Sequence, residues 1–400
     1  MYVLGRCRRF DAWSPQTLQA AAEKFRLSKR DMALCTRLCR CVLQNSAYCD
    51  FLIGRYCTQN VKRLEPQVLD ILRLGVCQLL FMDKIPVSAA VSESVELCRA
   101  AAPKAAGLVN AVLRRVAENR ESLPEPEGIG TPAYLAVRYS HPLWLCERMT
   151  ELLGYDECGS WLRENNTEPP LTLTRNPLKG ESGADSVPES TGGRVQELPG
   201  YAEGKFFVQD AAAAEAVRAA EPKPGMRVLD GCAAPGGKSF LAAMLMENDG
   251  EIISCDLHEK KLALIDEGAE RLGISILRTL PMDGSRPYDS FRGSFDLVIS
   301  DVPCSGLGVI RRKPEIRYKT QEELSRLPEI QLGILRGLAA CVRSGGTLLY
   351  STCTLLPEEN DGVVAAFLAG NKDFTMKTER TLWPQRDGTD GFYYCVLKKA

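Results

Sequence analysis

The chain has 400 residues, 45% hydrophobic and 25% charged, a composition that excludes a disordered, collagen-like or fibrous chain. At roughly 150 residues per domain, this length predicts two or three domains. The net charge of -1 divides unevenly: residues 1–120 hold 19 Lys and Arg against 10 Asp and Glu, and the remainder holds 31 against 41. A basic half suggests an anionic partner, nucleic acid first; a solvated helical surface explains the charge equally well. No apolar run approaches the ~18 residues that cross a bilayer, and the most apolar window, 72–81, is interrupted by Arg73. Arg6, Arg8 and Arg9 are followed by no apolar segment of a secretory signal. The 16 cysteines include no CxxC pair, and His141 and His258 are the only histidines. That pattern argues against a zinc ribbon, a thioredoxin motif or a histidine-rich metal site. Cytoplasmic localisation with reduced thiols, and no metal or membrane partner, is expected.

Residues 15–120 read as helices. Val68, Leu69, Ile71, Leu72, Val76, Leu79 and Leu80 recur at helical spacing. Pro66 and Pro86 stand where first-turn prolines belong, and a further helix over 105–119 carries Arg114 and Arg115, with Arg120 just beyond. With no strand-like alternation, this part is expected to be a helical bundle. Pro124, Pro126, Gly128, Gly130 and Pro132 break the pattern. Helices are predicted again over 142–153 and 156–165, then a short strand over 171–174. Residues 180–193, rich in Gly, Ser, Glu and Asp, read as a surface loop. His141, just before Pro142, reads as structural.

From about residue 205 strands and helices alternate. Strands are predicted over 226–229 ending at Asp230, 251–255 ending at Asp256, 295–300 ending at Asp301, and 347–351. A helix is predicted over 237–247, and residues near Phe374 and over 392–397 form an expected antiparallel edge. This alternation predicts an α/β domain with a parallel, doubly wound sheet whose ligands lie at the carboxyl ends of the strands.

Three clusters fall at those ends. Asp230-Gly231-Cys232-Ala233-Ala234-Pro235-Gly236-Gly237-Lys238 follows a strand and opens a helix, so small residues and helix N-terminal amides can meet a ligand. Asp256 ends the next strand, where a carboxylate accepts hydrogen bonds from ribose hydroxyls. A glycine-rich turn alone is as easily a tight strand-to-helix connection. Together with Asp256 it favours an adenosine-containing cofactor, and the absence of GxGxxG favours S-adenosylmethionine over NAD. The other two clusters are Asp301-Val302-Pro303-Cys304-Ser305-Gly306 and Ser351-Thr352-Cys353-Thr354. Either cysteine alone is more simply a packed thiol. Two at one sheet rim, beside a carboxylate and a nucleotide-type loop, point to chemistry, whereas Cys232 is expected to pack. Arg311, Arg312, Lys313, Arg317 and Lys319 around Tyr318 read as an RNA-contacting stretch.

These segments resemble the RNA cytosine-5 methyltransferases, in particular the bacterial enzymes acting on 16S ribosomal RNA. The resemblance is carried by CAAPGGK (232–238), DVPCSGLGVIRRKPEIRY (301–318), STCT (351–354) and DGTDGF (387–392). It extends to a NusB-like N-terminal domain through LSKRDMALCTRLCRCVL (27–43), AAVSESVELCR (89–99) and GLVNAVLRRVAENR (107–120), and to the connecting segment through YSHPLWLCERM (139–149). It implies an all-α NusB-like RNA-binding bundle over 1–122, a linking RNA-contacting subdomain over 131–204, and a Rossmann-like class I methyltransferase domain over 205–400. A monomer acting on small-subunit ribosomal RNA is expected. By position, Cys232, Ala233, Ala234, Pro235, Gly236, Gly237, Lys238, Asp256, Asp283 and Asp301 are implied to contact S-adenosylmethionine. Cys353 is implied to be the nucleophile, Cys304 to assist product release, and Asp301 to hold the base. The chain departs from the family pattern in an abrupt start to its NusB-like part, in a short 180–193 segment, and in an arginine displaced from position 174, held by Thr174, to Arg175. A methyltransferase of another RNA, such as tRNA, and a non-catalytic RNA-binding or antitermination factor remain open. A DNA cytosine methyltransferase fits less well, because that class uses the Pro-Cys cysteine as nucleophile.

Overall fold

The computed structural model describes residues 1–10, 14–180 and 195–400; apart from Gly180, the loop expected over 180–193 lies outside them. The chain forms two compact units, one of Met1–Thr167 with Arg311–Lys319, the other of Glu168–Ile310 with Thr320–Ala400. The division between the units falls inside the segment 131–204: 131–167 belongs to the first unit and the described residues of the rest to the second.

The first unit is helical. Helices Tyr2–Phe10, Ser14–Phe25, Lys29–Tyr56, Pro66–Phe81, Val87–Ala101 and Ala106–Glu118 are followed by Pro132–Arg138, Leu143–Leu153 and Tyr155–Glu164. The Ser28 hydroxyl accepts the Asp31 amide at 3.2 Å and caps the longest helix. Pro66 starts its helix, where a missing N–H costs nothing. The apolar stripes close on Leu52, Ile53, Ile71, Leu72, Val109 and Leu113, all buried. Gly75 lets two helices approach, since a Cβ there would meet the Leu113 side chain at 2.5 Å. The later helices join this bundle through polar ties. The Tyr48 amide donates to Ser140 Oγ at 3.0 Å, and the Arg138 guanidinium lies 4.7 Å from the Tyr48 ring centre.

Residues 311–319 complete the same unit, and burial corrects the RNA-contacting reading for Arg311 and Arg317, whereas Lys313 and Tyr318 stay exposed and Arg312 and Lys319 partly so. Arg317 is 1% exposed. Its guanidinium donates to the Gln44 carbonyl at 2.7 Å, the Ser140 carbonyl at 3.1 Å, Asn166 Oδ1 at 2.9 Å and the Pro314 carbonyl at 3.1 Å. Arg311, equally buried, pairs with Glu164 at 3.0 Å, and its carbonyl accepts from Arg40 at 2.6 Å. The Tyr318 hydroxyl donates to the Leu43 carbonyl at 2.7 Å. Sequence displays the charge of Arg311 and Arg317 but not their burial. His141 is structural as expected. Burial and then the nearby Arg317 keep it well below the usual histidine range, and so neutral.

Among the described residues the second unit has nine strands: β1 (Leu173–Arg175), β2 (Phe206–Val208), β3 (Arg227–Asp230), β4 (Glu251–Asp256), β5 (Leu277–Pro281), β6 (Phe295–Asp301), β7 (Val342–Thr352), β8 (Phe374–Leu382) and β9 (Phe392–Lys399). β1 and β2 form a small antiparallel pair. The others form one sheet in the order β5-β4-β3-β6-β7-β9-β8. β3 to β7 run parallel, while β8 and β9 are antiparallel additions at one edge. Successive strand residues face opposite layers. Val228, Ile252, Leu297 and Leu349 pack with helical Val217, Leu241 and Ile265; Leu229, Ile253, Val298 and Leu348 pack with Leu335, Leu338 and Phe367. Burial on both faces explains why these strands read as apolar runs. The strand order reverses between β3 and β6, so the carboxyl ends there open the crevice where such sheets bind ligands. No helix among the described residues is long and apolar enough to cross a membrane.

Candidate active site

Four carboxylates stand at or just beyond the carboxyl ends of parallel strands. Asp230 ends β3, Asp256 ends β4 and Asp301 ends β6, while Asp283 lies two residues past β5. Between β3 and the helix Gly237–Leu245 runs the turn 231–236, in which Gly236 has φ +109°. A side chain there is strained, and its Cβ would lie 2.4 Å from the Phe240 ring. Gly237 differs: an added Cβ there would meet its nearest neighbour, the Gln209 side chain, at 3.7 Å, an ordinary contact. Gln209 steadies this end by donating to the Gly237 carbonyl at 3.0 Å. Ala233 is buried and donates its amide to the Cys255 carbonyl at 2.7 Å. The Ala234–Pro235 peptide is cis.

Asp230 is fully buried. Ser239 donates to its Oδ2 at 2.7 Å and Ser254 donates to Ser239 at 2.8 Å, while its Oδ1 has no hydrogen-bond partner among the described residues. Burial raises the Asp230 carboxyl to about 7, against the opposing effects of Ser239 and Lys238. Asp256 Oδ1 accepts the His258 amide at 2.9 Å. Asp283 is exposed, and the amide and hydroxyl of Ser285, at 2.9 and 2.7 Å, hold it below the usual carboxylate range.

Asp301 is held from two sides. Lys238 Nζ donates to Oδ2 at 2.6 Å and Ser351 Oγ to Oδ1 at 2.7 Å. The register of β6 and β7 places Asp301 opposite Ser351. Burial opposes the charge on Lys238, but Asp301 outweighs it and keeps the ammonium above its ordinary range. Cys353 comes directly after β7 and Cys304 three residues after β6, and their sulfurs lie 3.2 Å apart. The Cys353 carbonyl accepts the Gly308 amide at 2.9 Å, and the Gly308 carbonyl accepts the Gly391 amide at 2.8 Å. An added Cβ on Gly308 would sit 2.0 Å from the Gly391 oxygen, so both glycines are required for the backbones to meet. This joins the 387–392 motif to the cysteine loop. Cys232 is partly buried, and burial pushes its thiol well up, as suits a packing residue.

The sequence therefore places the expected residues at one rim, with Asp283 at its outer edge. It does not reveal Ser351 as a partner of Asp301, nor the buried carboxylate of Glu359 behind the cysteines. Pro357-Glu358-Glu359-Asn360 reads as an acidic helix start, and nothing in it signals burial. Asp230 stands in the motif, but its sealed position is a tertiary property.

The glycine-rich turn at a helix N-terminus, an unpartnered carboxylate oxygen and carboxylates along the rim fit a ligand with an ammonium group, a carboxylate and ribose hydroxyls. Fold and rim together are those of an S-adenosylmethionine-dependent methyltransferase. Residues 217–398 match the family model described as 16S rRNA methyltransferase RsmB/F, and residues 8–118 that of the NusB family. The chain is 35% identical to the Bacillus subtilis (strain 168) protein named "Probable ribosomal RNA small subunit methyltransferase B", over 97% of this chain and 95% of that one. It is 32% identical to "Ribosomal RNA small subunit methyltransferase B" of Klebsiella pneumoniae subsp. pneumoniae, over 94% and 91%. The solved structure of PH0851 superposes with a TM-score of 0.78 at 25% identity, over 100% of this chain and 96% of that one. The chain belongs to the ribosomal RNA small subunit methyltransferase B family.

Proposed function

We propose that this enzyme methylates carbon 5 of a cytosine in 16S ribosomal RNA through a covalent bond between Cys353 and carbon 6. The names of its relatives supply the RNA. The observation that carries the chemistry is the pair of sulfurs 3.2 Å apart beside Asp301. The amides and small residues of 232–238, with Asp256 and Asp283, hold S-adenosylmethionine in this reading, and residues 1–122 bind RNA. When bound, the cofactor supplies an electrophilic methyl group.

Carbon 5 of cytosine is too weak a nucleophile on its own. The Cys353 thiolate adds to carbon 6, and the electron pair of the double bond moves into the ring, making carbon 5 nucleophilic. A free thiol is only roughly 3% thiolate at pH 7, so the Lys238 ammonium near the rim favours the reaction by stabilising negative charge. Asp301, oriented by Lys238 and Ser351, holds the N3/N4 edge of the base. After methylation the carbon 5 proton passes to water. Its electron pair restores the ring double bond, and Cys353 leaves as thiolate. The hydrogen bond with Cys353, then burial, raises the Cys304 thiol well above its ordinary range. It thus keeps its proton and donates S–H to the departing sulfur. The target base must be unstacked or in a loop to reach this rim.

Incubation of each variant with cofactor and small-subunit ribosomal RNA, followed by a reducing, denaturing gel, tests the assignment. Cys304→Ala should accumulate a protein–RNA adduct, stable to thiol because the link is carbon–sulfur, and Cys353→Ala should form none. The reverse pattern makes Cys304 the nucleophile and overturns this reading.

A further inference from the structure

Behind the two cysteines lies a buried polar cluster that the proposed chemistry does not use. Glu359, 2% exposed, follows β7 in a short 3₁₀ turn, Pro357–Glu359. Its Oε2 accepts the Ser305 backbone amide at 2.9 Å and Gln331 Nε2 at 2.8 Å. Its Oε1 accepts the Thr354 hydroxyl at 3.3 Å. Ser305 follows Cys304 and Thr354 follows Cys353, and their hydroxyls share a hydrogen bond of 2.6 Å. Gln331 also donates to the carbonyl of Pro303 at 3.0 Å, so it grips the other side of Cys304. Asn360 accepts from the Thr352 hydroxyl at 2.6 Å and donates to the Thr354 carbonyl at 3.2 Å, gripping both sides of Cys353. The Glu359 carbonyl is itself fixed by the Tyr350 hydroxyl at 2.6 Å.

A carboxylate can be buried only when donors replace its water. Three donors do so here, from both cysteine loops and from the helix Leu327–Ala339. We propose that Glu359 is a positioning residue for product release: its carboxylate locks the residues after Cys304 and Cys353 together, and so fixes the sulfur–sulfur separation at which Cys304 assists departure of Cys353. The inference rests on the two-cysteine reading above. The negative charge of Glu359 also contributes to the raised Cys304 thiol, behind the Cys353 hydrogen bond, burial and Cys353 itself, which favours a donating S–H. Attack by Cys353 needs only that sulfur and the base. Departure needs both sulfurs in register, and misplacing a reacting group by about 1 Å costs on the order of 100-fold.

The readout is the ratio of trapped adduct to methylated product in the full-length enzyme, with cofactor and small-subunit ribosomal RNA. Glu359→Ala should raise this ratio by about 10- to 100-fold over the parent enzyme, in the direction of Cys304→Ala. Glu359→Gln keeps an acceptor for the Ser305 amide and should restore the ratio at least in part. Loss of stability alone lowers adduct and product together and leaves the ratio unmoved. Should Glu359→Ala fail to fold, Gln331→Met removes the donor to Pro303 and Glu359 and should raise the ratio in the same direction. An unchanged ratio in the folded variants, with adduct present in Cys304→Ala, overturns the role of Glu359 alone. No adduct in Cys304→Ala overturns the cysteine assignment and this inference with it.

Discussion

Asp230 is a carboxylate sealed from water with only one oxygen bonded among the described residues. Its folded pKa of about 7 lies above the ordinary 3.8, so between those values the folded protein holds a proton that the unfolded chain has lost. Folding stability then falls as pH rises across that window, by about 1.4 kcal/mol per pH unit at most, and levels off above about 7. Asp230→Asn removes the titration while keeping an acceptor for Ser239. The stability of the parent protein relative to this variant should therefore decline from pH 5 to pH 7 in urea titrations without cofactor. A difference that is flat with pH would show that Asp230 stays ionised throughout, and that burial is not the dominant influence on it.

At the scale of elements, the 311–319 segment and the strand ends teach opposite lessons. Strands ending in Asp230, Asp256 and Asp301 are legible because β-branched and leucine runs stop at a carboxylate, and the structure ends β3, β4 and β6 on those residues. β5 is not legible: Leu277-Arg-Thr-Leu-Pro lies at the sheet edge, and none of its residues is fully buried. β7 starts at Val342, five residues before its apolar run, because Arg343, Ser344 and Gly345 are exposed. Arg317 and Glu359 carry their charge in the sequence and their burial only in the fold. Arg317 is lowered to about 10 by burial and stays charged at neutral pH, with its donors spent on backbone carbonyls and Asn166. Arg317→Met should destabilise the protein by about 3 to 5 kcal/mol, since several buried acceptors lose their donor. Urea unfolding followed by tryptophan fluorescence measures this. The slope of log affinity for RNA against log salt should be unchanged in the folded variant. A slope shallower by about one, with stability intact, would return Arg317 to the phosphate-contacting role its sequence suggests.

Over the whole molecule, the charge balance stays divided, with residues 1–120 basic and the remainder acidic. If the first part binds the RNA backbone, each phosphate neutralised releases counterions, and affinity falls steeply with salt. Binding of the full-length chain to small-subunit ribosomal RNA should weaken by at least about tenfold between roughly 50 and 200 mM salt. Affinity independent of salt over that range would assign the basic charge to solvated helical faces. The catalytic rim is expected to contribute less to this slope, because Lys238 is already committed to Asp301.

The helical unit is also discontinuous along the chain, and this bears on its biosynthesis. Gln44 and Ser140 leave the ribosome long before Arg317, whose guanidinium their carbonyls accept. During that interval the methyltransferase strands up to β6 are being made. The bundle thus emerges first but waits, with acceptors open to water, for a segment delivered from within the second unit. A nascent chain released before residue 317 carries an N-terminal unit without its keystone, whereas one released just after residue 319 has every residue assigned to that unit.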